Sequence, residues 1–204
     1  MEHNSENSPS GIWFKIKYFF NKNSTFGVLG ASFIAAILII VFVFQSYQVD
    51  GPSMDPSLKN GDRLIVWKLP VTWSHITGHP YTPNVGDIVI FNAPILGKQL
   101  VKRVVALPGD RVLINDGKIT VFNKEHPNGY NPDTTLAYGS TTKIPYTFNE
   151  GIPIDEVLGA NQIFVCGDNR PVSEDSRLLG PIYLNQLVGK LVLRIMPVNK
   201  ATIY

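Results

Sequence analysis

The chain has 204 residues, 44% of them hydrophobic, with 18 basic and 16 acidic side chains and a net charge of +2. Charges so evenly matched give no basic face for nucleic acid, and no nucleic-acid partner is expected. Cys166 is the single cysteine, which excludes an internal disulfide and a cysteine-based metal site. At the end of Ile163-Phe164-Val165 it reads as a small buried hydrophobe.

Residues 26–44 carry no charge and one polar side chain, Ser32. At about 1.5 Å per residue they span roughly 28 Å, close to a hydrocarbon core of about 30 Å. The run is apolar on every face, unlike an amphipathic core helix. It exceeds the apolar core of a signal peptide, about 7 to 15 residues, and no pair of small residues two apart follows it, so an uncleaved anchor is expected. Lys15, Lys17 and Lys22 precede the run, and the next basic residue is Lys59. The positive-inside rule then places residues 1–25 in the cytoplasm, 26–46 in the cell membrane as a single pass, and 47–204 outside. Membrane lipid is the first expected partner.

From Tyr47 onward the pattern is turns and short strands. Gly61-Asp62, Gly86-Asp87 and Gly109-Asp110 each lead into a β-branched run: Leu64-Ile65-Val66-Trp67, Ile88-Val89-Ile90-Phe91 and Val112-Leu113-Ile114. Asn115-Asp116-Gly117-Lys118 reads as a hairpin turn, and Leu191-Val192-Leu193-Arg194-Ile195 as a late strand. Residues 183–188 could form a helical turn. Residues 69–85 and 123–151 are polar and proline-rich, and read as loops or a hairpin excursion. No long 3.6-residue apolar period follows residue 47, so a mostly β domain of coiled, barrel-like sheets is expected.

Ser53 lies in Asp50-Gly51-Pro52-Ser53-Met54-Asp55-Pro56, where glycine and proline force a tight bend that can present a hydroxyl in the open. A serine needs a base before it can attack a carbonyl. Lys102 is the best candidate. As part of a strand it shares a face with Leu100, Val104 and Ala106, opposite Val101, Arg103 and Val105. A free lysine titrates near 10.4, but burial can lower that by up to about 3 to 5 units and make it a base at neutral pH. The plainer reading is a lysine whose stem covers apolar surface while its head reaches water. On pattern alone that reading is the stronger, and a turn serine more often caps than attacks. His75, His79 and His126 sit in the polar loops and remain possible bases. His75 and His79 have zinc spacing for a helix, but Gly78 and Pro80 oppose one there and no glutamate follows His75. Gly167-Asp168-Asn169-Arg170-Pro171-Val172-Ser173-Glu174-Asp175-Ser176-Arg177 is dense in charge, either a solvated loop or an ion-paired scaffold.

Taken together, the N-terminal segment and four runs in order resemble bacterial type I signal peptidases. The runs are Gly51-Pro52-Ser53-Met54-Asp55-Pro56-Ser57-Leu58, Gly86-Asp87-Ile88-Val89, Val101-Lys102-Arg103-Val104-Val105-Ala106-Leu107-Pro108-Gly109-Asp110, and Gly167-Asp168-Asn169-Arg170 through Ser173, Asp175, Ser176 and Arg177. The short spacing between the last two is similar to the compact Gram-positive form. The resemblance implies a membrane-anchored serine endopeptidase that removes signal peptides from exported preproteins after small residues at −3 and −1. It implies a mostly β fold of coiled antiparallel sheets, shared with self-cleaving repressor proteases and preceded by one transmembrane helix. It implies no cofactor and no metal.

By the same resemblance, Ser53 is the nucleophile, Lys102 the general base and Ser173 the serine that orients the lysine. Arg103 with Asp168, and Asp175 with Arg177, are supporting ion pairs. Some relatives carry a serine where this chain has Gly51, so the oxyanion would depend on backbone N–H groups, those of Ser53 and Gly51. Val49, Met54, Leu58 and Val101 flank the catalytic pair and are the expected walls of the substrate pockets. Two other readings stay open: a related Ser/Lys protease that cleaves itself, and an inactive membrane-anchored β domain that binds partners. The oligomeric state is not fixed by the sequence.

Overall fold

Three of the Gly-Asp pairs close their turns in the same way. Gly61, Gly86 and Gly109 all have φ near +90°, a region glycine enters without strain. The aspartate that follows each accepts a backbone N–H from three residues back: Lys59 to Asp62, Asn84 to Asp87 and Leu107 to Asp110, each at 2.9 Å. A strand follows each turn. The computed structural model describes residues 24–135 and 153–204. Within them the strands are β1 (Phe44–Gln48), β2 (Arg63–Trp67), β3 (Ile88–Ala93), β4 (Lys98–Ala106), β5 (Arg111–Asn115), β6 (Lys118–Phe122), β7 (Ile154–Val157), β8 (Gln162–Cys166), β9 (Ile182–Tyr183), β10 (Leu187–Met196) and β11 (Thr202–Ile203). The helices are α1 (Ser24–Phe42), α2 (Leu69–Thr77) and the single turns α3 (Pro132–Thr135) and α4 (Ser176–Leu179).

Every pairing is antiparallel. The larger sheet runs β1-β2-β10-β3-β4-β8-β9, with β11 on β10, and the smaller runs β6-β5-β7. The fold is thus mostly β, as expected. Asp116 and Gly117 both take positive φ and form the anticipated tight hairpin between β5 and β6. Strands separate three apolar clusters by their two-residue period. In β8, Ile163 and Val165 face one cluster while Phe164 and Cys166 face another. In β3, Val89 and Phe91 face the first cluster and Ile88 a third, with Met54, Leu58 and Leu64. Cys166 is fully buried, as read, and burial pushes its thiol up to about 12.

Three expectations need correction. Residues 69–85 are not all loop. Pro70 opens α2, Val71 buries it against the first cluster, and Gly78 ends it at φ +73°. His79 falls beyond that end, so the two histidines do not share the helix. Residues 183–188 give only a 3-10 turn at Leu184–Gln186 before β10 begins at Leu187. Ala106 leaves the face of Val104, because a bulge between them turns it into the second cluster with Val105.

The described chain forms two compact units that divide between Val41 and Phe42. In the first, residues 28–41 are exposed and, Ser32 aside, apolar. Among the described residues no helix is long and apolar enough to cross a membrane. The expected cytoplasmic tail 1–25, with Lys15, Lys17 and Lys22, lies almost wholly outside the described residues, as does most of the excursion 123–151.

Candidate active site

The turn bearing Ser53 is fixed from several sides. Asn169 donates its backbone N–H to Ser53 O at 3.0 Å and its side-chain amide to Pro52 O at 3.1 Å. Arg103 Nη2 reaches Ser57 Oγ at 3.2 Å, and Arg194 Nη1 and Tyr204 Oη donate to Ser57 O at 2.9 and 3.0 Å. Met54 and Leu58 are fully buried beneath the turn in the third cluster. A turn clamped in this way holds the half-buried Ser53 hydroxyl in one place.

Lys102 comes from the middle of β4. Its Nζ donates to Ser53 Oγ at 2.8 Å and to Val101 O at 3.0 Å. The residue is only 2% exposed, and burial pushes its ammonium down to about 8, against the opposing pull of Asp175 and Glu174. At pH 7 roughly one such lysine in ten is neutral, against about one in a few thousand in water. This is not a lysine whose head reaches solvent. The pattern pointed the wrong way because the head of Lys102 is met by the Ser53 turn, a contact 49 residues away in sequence.

The neighbours of Lys102 are ion-paired. Arg103 grips Asp168 through Nε and Nη2 at 2.8 and 2.7 Å and also donates to Gly86 O. Arg177 grips Asp175 through Nε and Nη2, both at 2.8 Å. Asp175 in turn accepts the Gly167 N–H at 2.8 Å and caps α4. Ser173 is brought to the same place, against Gly167, but among the described residues its buried Oγ has no hydrogen-bond partner, Lys102 included. Ser53 Oγ and Val101 O already occupy two directions around Nζ. Gly51 lies beside the turn, with its N–H donated to Asn60 Oδ1 at 3.0 Å. Among the described residues the Ser53 N–H has no partner.

A cavity of about 100 Å³ opens beside the pair. Tyr47 to Asp50 form one wall, Gln99 to Val101 the other, and the buried Leu64 and Ile90 the floor. Val49 and Val101 therefore line it, whereas Met54 and Leu58 do not, because their side chains turn inward to the core. Leu64 and Ile90 were missed, since only the strand register brings β2 and β3 beneath the site. Both walls are open strand edges. Among the described residues β1 pairs only with β2, and β4 meets β8 only from Arg103 onward. A further buried pair, Arg170 with Asp133 at 2.6 and 2.7 Å, was also missed, since Asp133 belongs to a stretch that reads as loop. The histidines stand apart: His75 and His79 are exposed, as is His126, and the cavity lining includes none of them. Among the described residues no group of three or more His, Cys, Asp or Glu could hold a metal ion.

Comparison with known proteins finds signal peptidases. Signal peptidase IB of Staphylococcus aureus is 30% identical over 178 residues, which cover 84% of this chain and 88% of that protein. A probable signal peptidase I-1 of Synechocystis is 29% identical over 181 residues, covering 85% and 82%. A crystal structure of a signal peptidase I from Enterococcus faecalis covers 55% of this chain and 99% of that one, at 27% identity and a TM-score of 0.41. Residues 23–196 match the family described as signal peptidase, peptidase S26. The match spans the Ser53 turn, β4 and the ion-paired loop alike, and the chain belongs to this family of signal peptidases.

Proposed function

We propose that the chain is a membrane-anchored serine endopeptidase that removes signal peptides from exported preproteins, cutting after small residues at −3 and −1. The observation that carries the reading is the 2.8 Å approach of Lys102 Nζ to Ser53 Oγ at a lysine that burial has brought to about 8. Neutral Lys102 takes the hydroxyl proton as Ser53 attacks the scissile carbonyl. The protonated lysine then gives that proton to the leaving amine, and an acyl-enzyme remains. Water, deprotonated by Lys102, resolves it.

The Ser53 N–H is one oxyanion donor. Gly51 becomes the second only if its N–H leaves Asn60 as substrate arrives, because a donor must point at the developing charge. Ser173 Oγ accepts a hydrogen bond from Lys102 Nζ after a minor rearrangement, which satisfies its orphaned hydroxyl. The two ion pairs hold β4 and the loop after β8 in place around the lysine. The substrate lies extended between the open edges of β1 and β4 and adds main-chain hydrogen bonds to both. Its small side chains enter the cavity over Leu64 and Ile90, beside Val49 and Val101. Residues 26–44 form the anchor, uncharged over roughly 28 Å. The preceding lysines set the N-terminus in the cytoplasm and the catalytic unit outside.

The direct test incubates the purified full-length protein with an exported preprotein and maps the products by mass spectrometry. A single cut after a small residue, at the end of the signal peptide, is expected. No cut, or a cut that persists in Ser53→Ala, would overturn the reading.

A further inference from the structure

Strand β4 presents different surfaces on its two faces. Gln99 and Val101 pair in register with Asn92 and Ile90, on the face of the cavity. Lys98, Leu100 and Lys102 alternate with them and pair with Ala93, Phe91 and Val89, all members of the first cluster. On this second face Lys98 Nζ reaches Glu174 Oε2 at 3.1 Å, with the two side chains 52% and 54% exposed. The bridge ties the start of β4 to the loop after β8. Both charges act on the catalytic lysine. Burial lowers the Lys102 ammonium most. Asp175 and Glu174 pull it back up, Lys98 presses it down, and the buried Cys166 adds a smaller upward pull. Asp175 is matched by Arg177, and Glu174 by Lys98.

The open edge of β4 fixes how a substrate meets this bridge. Among the described residues β4 is free of β8 only from Lys98 to Lys102, and Ser53 stands at the Lys102 end. A substrate whose −1 carbonyl lies at Ser53 therefore extends its preceding residues toward Lys98, parallel to β4. Side chains of an extended peptide alternate between faces. With −1 and −3 in the cavity, −2 falls on the second face, alongside Leu100 and between Lys98 and Lys102. The two ends of the bridge are not equivalent there. A basic side chain at −2 takes the Glu174 carboxylate from Lys98 and brings a positive charge near Lys102, which favours the neutral amine. An acidic one takes Lys98, leaves Glu174 unmatched and adds a negative charge, which favours the ammonium.

We propose that the Lys98–Glu174 bridge reads the charge of the substrate at −2, accepting a basic side chain through Glu174 and disfavouring an acidic one. Both residues set specificity and neither is catalytic. The inference rests on the protease reading proposed above.

The test uses the full-length protein and substrates that differ only in carrying Ala, Gln, Lys or Glu at −2, with alanine at −1 and −3. At pH 7 and low salt the wild type should cleave the lysine substrate about fivefold faster in kcat/KM than the glutamate one, the scale of one exposed charge pair. Glu174→Gln should lower that ratio. Lys98→Gln should raise it, since it frees Glu174 for the substrate. High salt should compress the wild-type ratio, a measurement that needs no variant. The acid limb of kcat, which reports the enzyme–substrate complex, should lie at higher pH for the glutamate substrate than for the lysine one. Equal or reversed rates on the two substrates, a preference indifferent to salt, or one that both variants leave unchanged would overturn the inference while the protease reading stands. Cleavage of none of the substrates would refute that reading, and the inference with it.

Discussion

A Cβ on Gly167 would fall 2.5 Å from the carbonyl oxygen of Ser53, and it would also overlap Ser173 Oγ. The end of β8 therefore passes directly under the Ser53 turn. Asp175 holds the Gly167 N–H from one side, and the Asn169 N–H reaches up to Ser53 O from the other. The backbone of Ser53 rests on the loop whose ion pairs flank Lys102. That contact sets the height of the hydroxyl above the lysine.

Gly167→Ala should therefore harm both folding and catalysis. The obstacle is backbone, which cannot swing aside as a long side chain can, and overpacking of this kind costs about 1 to 3 kcal/mol. A displacement near 1 Å at a reacting group can cost about 100-fold in rate. Urea unfolding should show the lost stability, and kcat should fall by about tenfold or more. A variant with wild-type stability and kcat would mean that the loop after β8 does not position Ser53.

The cavity beside the pair, about 100 Å³, predicts the substrate preference. Its floor, Leu64 and Ile90, is at most 3% exposed and lies in packed strands, so it cannot retreat. Replacing alanine by leucine or valine at −1 of the substrate forces an overpacking of about 1 to 3 kcal/mol. Since 1.36 kcal/mol is about tenfold, kcat/KM should drop by roughly one to two orders of magnitude. Equal rates on both substrates would refute a small-residue pocket here.

The turns and hairpin were legible because their chemistry is local. A Gly-Asp pair carries both its positive φ and its side-chain bond within four residues, and Asp116-Gly117 carries its own turn. Ser53 and Lys102 were legible as a pair through motif order. Their roles could not be separated from the plainer readings, because burial of Lys102 depends on a turn 49 residues away. The pocket was half legible. Val49 and Val101 are near the pair in both sequence and space, but the direction of Met54 and Leu58 depends on the turn's geometry, and Leu64 and Ile90 enter only through sheet register. Helix α2 was hidden because its exposed Leu69, Trp73 and Ile76 and its buried Val71 lie on opposite sides and blur any one-sided period.

The pH dependence follows from Lys102. The working form is the neutral amine, so kcat/KM should rise about tenfold per pH unit below about 8 and level above it. Stability follows the same titration. The folded-state pKa lies below the unfolded 10.5, so the unfolded chain binds more protons between about 8 and 10.5, and stability rises with pH across that window. Below about 8 the full cost of the buried lysine applies, about 3 kcal/mol at 1.36 kcal/mol per unit. Lys102→Met, apolar and of similar length, should therefore be inactive yet more stable than wild type at pH 7, with the gain shrinking toward pH 10.5. Urea unfolding of both proteins at several pH values measures this. A destabilised Lys102→Met at pH 7 would show that the bonds to Ser53 and Val101 outweigh the desolvation.

Ser53→Ala and Lys102→Ala should each remove nearly all activity while leaving the domain folded, and the double variant should lose no more than either single one. The two groups perform one step, and losing either partner removes it. Lys102→Arg discriminates most sharply. Arginine keeps the length and the charge, so a lysine that merely covers apolar surface would be replaced without loss. A guanidinium does not give up its proton at usable pH and cannot serve as a base. Activity on a signal-peptide substrate should fall as far in Lys102→Arg as in Lys102→Ala, with circular dichroism reporting the fold. Folded Lys102→Arg with near wild-type kcat/KM would sink the Ser/Lys mechanism and return the search for a base to His75, His79 and His126.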